Sequence, residues 1–354
     1  MLLLINTNRM QPPIAPLGLE YAATVCAQAG IETRVLDLNL ADDPDQALAA
    51  AFAGDAPRLI GLSFRNTDDS YWPSARWFVP DLIELVKRIR SLSEAPIVLG
   101  GCGFSIMPAR ILKATGADFG IHGDSEIALP KLYREVTGSR QFVQVPGLIR
   151  RGVYRIIGNP PAWHKPYAVK TRREHLDNAA YFRRGGQGGV ETKRGCNRPC
   201  IYCADPLSKG RLLRPRQPAE VADEIDALLK QGVDVLHFCD GEFNFPREHA
   251  MALCAEMVSR NFDRCLRWYA YLAVTPFDEA LAKLMRAAGC AGINFTTDAA
   301  SPAMLQSYRQ SHGKSDIESA VKAAKAAGLT VMLDLLLGGP GETAETVRET
   351  VAFV

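Results

Sequence analysis

The sequence predicts two consecutive α/β domains, each built around a parallel β-sheet. Two observations support this fold class. Short apolar runs alternate with amphipathic helical segments along most of the chain, a pattern typical of parallel strands joined by crossover helices. The alternation breaks once, over residues 141–188, where a proline-rich stretch leads into "RRGGQGG". We therefore expect a first domain over residues 1–140, a hairpin and linker over 141–188, and a second domain over 189–354.

The first domain should form a doubly wound, Rossmann-like sheet of five parallel strands. Apolar runs predict strands at residues 2–6, 33–39, 58–64, 96–101 and 118–123. Helical periodicity predicts helices at residues 18–30, 43–54, 78–92, 107–116 and 126–138. Ligands of such sheets lie beyond the carboxyl ends of the strands, so the polar and glycine-rich segments there are the expected binding loops.

The second domain resumes the same alternation after the linker. Strands are predicted at residues 189–195, 233–240, 266–274, 291–298 and 329–339. Helices are predicted at residues 218–232, 247–261, 277–289 and 317–328, and from residue 342 onward. Because the chain stops inside that last helix, we expect either a truncated chain or a sixth strand and later elements outside it.

Composition and charge exclude several classes of protein. The 354 residues are 47% hydrophobic, yet no apolar run approaches the roughly 18 residues that span a bilayer. The apolar start "MLLLI" is too short for a signal peptide, so a cytoplasmic location and no membrane partner are predicted. Residues 165–216 carry 13 Lys and Arg against 4 Asp and Glu, and this basic segment could face nucleic acid, an anionic cofactor or solvent.

Three of the nine cysteines form a motif. Cys196, Cys200 and Cys203 are spaced C-x3-C-x2-C in a loop after a predicted strand, whereas the other six are scattered singly. Scattered cysteines in a chain without a secretory signal are typical of small core residues rather than disulfides. A structural zinc site needs four ligands, and no fourth Cys or His lies at ligand spacing. An iron–sulfur cluster held by three thiolates instead leaves one iron open to a ligand.

The cysteine motif, with Tyr202 directly before its last member, resembles that of radical S-adenosylmethionine (SAM) enzymes. Segments after later strands are similar to that family as well: "CDGEF" at 239–243, "TTDAAS" at 296–301 and "LLLGGPGET" at 335–343. The resemblance implies a partial (β/α)6 barrel in which the three cysteines hold a [4Fe-4S] cluster and SAM binds the open iron. The SAM contacts that it implies are Tyr202, Asp240, Gly241, Glu242, Thr297, Asp298, Ser301, Gly338, Gly339 and Pro340.

The first domain resembles the B12-binding domain of cobalamin-dependent radical SAM enzymes. The similar segments are "PLGLEYAA" at 16–23, "IGLSFRN" at 60–66, "IVLGGCGFS" at 97–105 and "FGIHGDSEIALPKL" at 119–132. His122 lacks the Asp-x-His-x-x-Gly pattern of a cobalt ligand, so no histidine ligand is expected. The alternatives are a Rossmann-like domain used only for packing and glycines used only for turn geometry. The cobalamin contacts implied are Ser63, Arg65, Asn66, Gly100, Gly101 and Gly123.

The two resemblances together imply a C-methyltransferase that passes a methyl group from SAM through cobalamin to a carbon of a small molecule or amino acid. The segment at 191–211 and the "SFRN" loop look closest to the tryptophan 2-C-methyltransferase type. The alternatives are a cobalamin-dependent rearrangement or cyclisation, a tRNA-modifying radical SAM enzyme and a non-catalytic B12 sensor. An external electron donor is the other partner implied, and no nucleic acid is expected.

Three residues are candidate catalytic groups: Arg65, Tyr271 and Asp334. Arg65 could lie below the cobalt and favour a four-coordinate Co(I) state, or it could form an ion pair with Asp68 or Asp69. Tyr271 could line the barrel interior or belong to the core. Asp334 is a carboxylate in an apolar strand, and it could be a buried base or pair with a neighbouring strand.

Overall fold

The computed structural model describes residues 1–163, 167 and 169–354. Within them the chain divides into two compact units. The first comprises residues 1–163, 169–186 and 204–210, and the second comprises residues 167, 187–203 and 211–354. No helix in the part of the chain so described is long and apolar enough to cross a lipid bilayer.

Strands and helices alternate along both units. The strands are β1 Leu2–Asn6, β2 Thr33–Asp37, β3 Leu59–Ser63, β4 Ile97–Gly100, β5 Phe119–Ile121, β6 Leu148–Arg151, β7 Ile156–Gly158, β8 Gly188–Val190, β9 Lys193–Arg194, β10 Arg214–Pro215, β11 Val235–Phe238, β12 Arg267–Leu272, β13 Cys290–Asp298 and β14 Thr330–Leu335. The helices are α1 Leu17–Gln28, α2 Pro44–Ala51, α3 Val79–Leu92, α4 Cys102–Ile106, α5 Pro108–Thr115, α6 Ser125–Thr137, α7 Asn178–Arg183, α8 Asp205–Lys209, α9 Pro218–Lys230, α10 Arg247–Ser259, α11 Glu279–Ala287, α12 Pro302–Tyr308, α13 Lys314–Ala326 and α14 Ala344–Phe353.

The first unit contains the predicted doubly wound sheet. Its strand order is β2-β1-β3-β4-β5-β6-β7, and the first five strands are parallel. The central strand β1 is buried on both faces, since Leu3 and Ile5 pack in one hydrophobic cluster while Leu2 and Leu4 pack in another. This two-sided burial explains why the strand reads as a continuous apolar run. The predicted hairpin is β6 and β7, and β6 pairs antiparallel with β5 at the edge of the sheet.

The second unit contains five parallel strands in the order β14-β13-β12-β11-β8. Along β12, Trp268, Ala270 and Leu272 are fully buried, and the indole N–H of Trp268 donates to the carbonyl of Ala288 at the end of α11. Tyr269 and Tyr271 point to the opposite face, because side chains alternate along a strand, and they are partly or largely exposed. The helix-covered face is therefore the core, and the other face carries the candidate site.

A predicted strand extends past the observed one, and a short helix was not predicted. The strand predicted at 189–195 stops at Val190, after which residues 193–194 pair antiparallel with Arg214–Pro215. The helix predicted at 107–116 is confirmed as α5, and the short helix α4, which was not predicted, precedes it; the two are separate because Met107 leaves helical geometry (φ −138°, ψ 56°). Pro108 disfavours helical angles at the residue before it, which is the physical reason for that break.

Candidate active site

The three-cysteine motif lies in an irregular loop between β9 and α8. Cys196 and Cys200 are partly buried, Cys203 is exposed, and none of the three forms a disulfide. Among the described residues, no three His, Cys, Asp or Glu side chains converge closely enough to hold a single metal ion. A cubane cluster does not require such convergence, because each thiolate binds a different iron. The loop therefore offers the donor set that a [4Fe-4S] cluster needs.

A buried ion pair fixes the start of the cysteine loop. Lys193 Nζ lies 2.9 Å from Asp240 Oδ2, and the two side chains are 3% and 0% exposed. Asp240 also accepts the hydroxyl of Thr192 and the backbone N–H groups of Thr192 and Lys193. Burial opposes ionisation of Asp240, but the Lys193 ammonium and the Thr192 donors outweigh it and lower the pKa of the carboxyl. Asp240, predicted as a SAM contact, is enclosed by these donors, which tie it to the start of the cysteine loop.

Arg198, between the first two cysteines, joins the loop to other segments of the second unit. Its Nε–H donates to Glu242 at 3.0 Å, and its terminal N–H groups donate to Ser311 Oγ at 2.9 Å and to the Thr275 carbonyl at 2.7 Å. The guanidinium carbon also lies 4.6 Å from the centre of the Phe245 ring. Burial raises the pKa of Glu242, and the Arg198 charge opposes that rise. The Glu242 side chain, a predicted SAM contact, is thus held at the end of β11 with 14% of its surface exposed.

A second polar cluster reaches one of the cysteines. The Tyr202 hydroxyl donates to Asp298 Oδ2 at 2.6 Å. The Gln310 amide nitrogen donates to the same oxygen and lies 3.5 Å from Cys200 Sγ. Burial raises the pKa of Asp298 and of Cys200, and the bonds from Gln310 oppose both shifts. Tyr202 and Asp298, both predicted SAM contacts, therefore touch each other, and Gln310 joins them although no motif included it.

Strand geometry separates the predicted residues at the end of β13. Thr297 is fully buried, and its hydroxyl donates to the Phe295 carbonyl at 3.3 Å. Ser301 is 1% exposed and precedes α12 as its N-cap residue. Thr296, which was not predicted, faces Glu242 instead, with 3.4 Å between Oγ1 and Oε1. Side-chain alternation explains this: residues 296 and 298 share the site face, whereas 297 points to the core.

The "GGPGET" loop folds back onto α12. Gly338 has φ +82°, and its N–H donates to the Glu342 carboxylate at 2.7 Å. Gly339 packs against Tyr308 so closely that a Cβ there would lie 2.2 Å from the tyrosine oxygen. The Pro340 carbonyl accepts from Ser307 Oγ at 2.8 Å. The glycine at 339 is therefore required by packing, while Gly338, like Gly241 in the "CDGEF" segment, is exposed.

Two of the catalytic candidates lie on the exposed face of the second sheet, on strands β12 and β14. Burial and the nearby Asp334 charge raise the pKa of Tyr271, and the Tyr271 side chain is 38% exposed. Burial also raises the pKa of Asp334, opposed by a hydrogen bond from Asn294 of the neighbouring strand. The His237 ring lies 5.3 Å from that of Tyr271, and burial lowers its pKa. The face thus combines a phenol, a carboxylate and a neutral imidazole.

In the first unit, Arg65 and Asn66 follow β3 on the rim of a cleft of about 280 Å³. Arg65 is exposed, and its guanidinium donates to Asn66 Oδ1 at 2.8 Å. Among the described residues, Arg65 forms no ion pair with the alternative partners Asp68 or Asp69. Asp68 accepts from Thr67 and Ser70, and Asp69 accepts from Ser74 and two backbone amides. The Arg65 charge is therefore available at the carboxyl end of the strand.

The other predicted cobalamin contacts have different surroundings. A Cβ at Gly101 would lie 2.5 Å from the Phe64 carbonyl, and one at Gly123 would lie 2.7 Å from the Trp163 ring, so both glycines are explained by packing. A Cβ at Gly100 would meet nothing within 4 Å, which leaves open space beside that residue. Ser63 is partly buried, and its carbonyl accepts from the Thr7 hydroxyl at 2.9 Å. His122 Nε2 is engaged with the Leu207 carbonyl at 2.7 Å.

Comparison with known proteins places these two units in known families. The Radical SAM superfamily model matches residues 190–354, and the B12 binding domain model matches residues 4–133. Tryptophan 2-C-methyltransferase of Streptomyces laurentii is 32% identical, with 98% of this chain and 69% of that enzyme covered.

Solved structures of a radical SAM methyltransferase, TsrM from Kitasatospora setae, match along the same length. The structure with cobalamin and a [4Fe-4S] cluster bound has a TM-score of 0.94 at 35% identity, covering 99% of this chain and 72% of that one. The structure with tryptophan and the SAM analogue aza-SAM bound has a TM-score of 0.91 at 36% identity, covering 99% and 70%. The chain therefore belongs to the cobalamin-dependent radical SAM methyltransferases, in the family of tryptophan 2-C-methyltransferase.

Proposed function

We propose that this enzyme methylates carbon 2 of the indole ring of tryptophan or of a tryptophan derivative. The observation that carries the proposal is similarity along 98% of the chain, at 32% identity, to an enzyme named for that reaction. The TsrM structure with tryptophan bound supports the same substrate class. An external electron donor is part of the proposal, since reduction of the cofactors requires one.

The second unit fits a [4Fe-4S] cluster and SAM. The cluster would be held by Cys196, Cys200 and Cys203, the three thiols on one loop. Glu242 and Asp298 offer carboxylates on the site face, which suit the ammonium group of SAM. The open space beside Gly338 leaves room for a flat ring, because a Cβ at that glycine would meet nothing within 4 Å.

The first unit fits cobalamin, which when bound supplies a cobalt centre that takes a methyl group from SAM and passes it to the acceptor. Arg65 contributes an exposed positive charge at the carboxyl end of β3, where ligands of such sheets bind. If Arg65 borders bound cobalamin, its positive charge would tune the cobalt centre for methyl transfer. Replacing Arg65 by alanine should therefore change the visible spectrum of bound cobalamin, whereas R110A, on the exposed side of α5, should not. Identical spectra for R65A and the unaltered protein would contradict this role.

The acceptor carbon must lose a proton once its new carbon–methyl bond has formed. We assign that proton to Asp334, because a carboxyl with a raised pKa binds a proton more readily near neutral pH than an ordinary aspartate. Tyr271 stays protonated, since burial and the Asp334 charge raise its pKa, so its hydroxyl would be a hydrogen-bond donor to the substrate. His237 packs behind Tyr271 and fixes its ring.

The test is anaerobic reconstitution with cluster, cobalamin, a reductant, tryptophan and SAM carrying a deuterated methyl group. Mass spectrometry should find S-adenosylhomocysteine and tryptophan with one deuterated methyl group. 2-Methyltryptophan, which is blocked at the acceptor carbon, should give no such product. Methylation of 2-methyltryptophan, or S-adenosylhomocysteine formed without methylated tryptophan, would show that the substrate or position is different.

A further inference from the structure

Gln310 lies outside every recognised motif, in the turn between α12 and α13. Helix α12 ends where Arg309 adopts a left-handed conformation with φ 62°, and the Gln310 N–H donates to the Leu305 carbonyl at 2.8 Å. This capped turn reverses the chain and fixes the origin of the Gln310 side chain. The side chain reaches the cysteine loop, 110 residues earlier in the sequence.

The Gln310 amide brings two hydrogens to three acceptor atoms, one of which is a cysteine sulfur. Gln310 Nε2 lies within bonding distance of three acceptor atoms: Asp298 Oδ2, Tyr202 OH at 3.1 Å and Cys200 Sγ at 3.5 Å. The Tyr202 hydroxyl gives its own hydrogen to Asp298. A primary amide has two N–H groups, so one binds Asp298 while the other is shared between the Tyr202 hydroxyl oxygen and Cys200 Sγ. The opposite amide orientation would place a carbonyl oxygen against a carboxylate and a thiolate, which electrostatics disfavours.

We propose that Gln310 is a positioning residue that acts through Cys200 and raises the reduction potential of the [4Fe-4S] cluster. Hydrogen bonds to cluster sulfurs are one of the main determinants of that potential. When the oxidised cluster accepts one electron, negative charge builds on its sulfurs, and an N–H donor stabilises that charge. Gln310 also binds Asp298, whose carboxylate would otherwise face the cluster with a full negative charge. Both effects favour the reduced state.

The experiment is a redox titration of the reconstituted protein with dithionite as electron donor, followed by electron paramagnetic resonance and without substrate. Q310L removes the donor, and Q310E keeps the shape but replaces the donor by a carboxylate. Q306L is the matched control, because Gln306 is exposed on α12, the helix that ends just before Gln310. At a fixed solution potential, Q310L should lower the ratio of reduced to oxidised cluster by about tenfold, which is ~59 mV for a one-electron couple. Q310E should lower it further, and Q306L should match the unaltered protein.

Iron and sulfide analysis accompanies each titration. Full cluster content together with an unchanged midpoint in Q310L would overturn the proposal. Loss of the cluster from both Q310L and Q310E would also overturn it, because Gln310 would then serve assembly instead of the potential. The proposal depends on the cluster but not on tryptophan, so a failure of tryptophan methylation leaves this result unaffected.

Discussion

Replacing Lys193 by methionine should strongly destabilise the second unit. Lys193 and Asp240 form an ion pair whose side chains are 3% and 0% exposed, so the variant leaves a buried carboxylate without its cation. Breaking one partner of such a pair costs about 3–5 kcal/mol. A unit of this size loses roughly 2–4 °C of Tm per kcal/mol, so its Tm should fall by roughly 6–20 °C.

The assay is differential scanning calorimetry of the unaltered protein, K193M and a surface control. The control is K283M, whose partner Glu279 is on the same helix and whose pair is 65% exposed on both sides. An exposed pair contributes about 1 kcal/mol or less, so K283M should change little. If K193M lowers the Tm no more than K283M does, the inference that this pair anchors the cysteine loop is wrong.

The pH dependence of thermal stability provides a second test of this ion pair. The pKa of Asp240 is lowered in the folded protein, so its contribution to stability is present above the unfolded value of about 3.9 and is lost as the pH falls through the lower folded value. The Tm difference between the unaltered protein and D240N should therefore be full at neutral pH and shrink below about pH 4. A difference that grows on acidification would contradict the assigned sign.

Two further predictions concern the site itself. G339A should weaken SAM binding, because the new Cβ would overlap the Tyr308 hydroxyl. The control G313A should not, since the atom nearest to its new Cβ would lie 3.9 Å away. Equal SAM affinities of the two variants in equilibrium dialysis would contradict this prediction. D334N should lower the rate of tryptophan methylation by about 10²–10⁴ with little change in KM. The methylation rate of the unaltered enzyme should fall as the pH drops through the raised pKa of Asp334. Y271F should keep this loss of rate at low pH, and D334N should lack it. If the loss at low pH persists in D334N, another group is responsible for it.

Short sequence patterns were sufficient to predict the fold class and the cofactors of this protein. Strand β1 is recognisable from the sequence because burial on both faces demands five consecutive residues that tolerate the core. The cysteine spacing and the later glycine and carboxylate segments indicated the cofactors, because their chemistry requires particular side chains close together in sequence. The order of those segments along a β/α series was enough to expect them at one edge of a sheet.

Long-range packing decided what each of those residues does. Asp240 and Glu242 are two residues apart and were predicted alike, yet one is enclosed by Thr192 and Lys193 while the other stays on the site face. Gln310 reaches Cys200 only because a left-handed cap ends α12 at the right place. A sequence specifies which groups are available, but their partners depend on strand register and on the direction of turns that join distant segments, and those are fixed only when the whole unit packs.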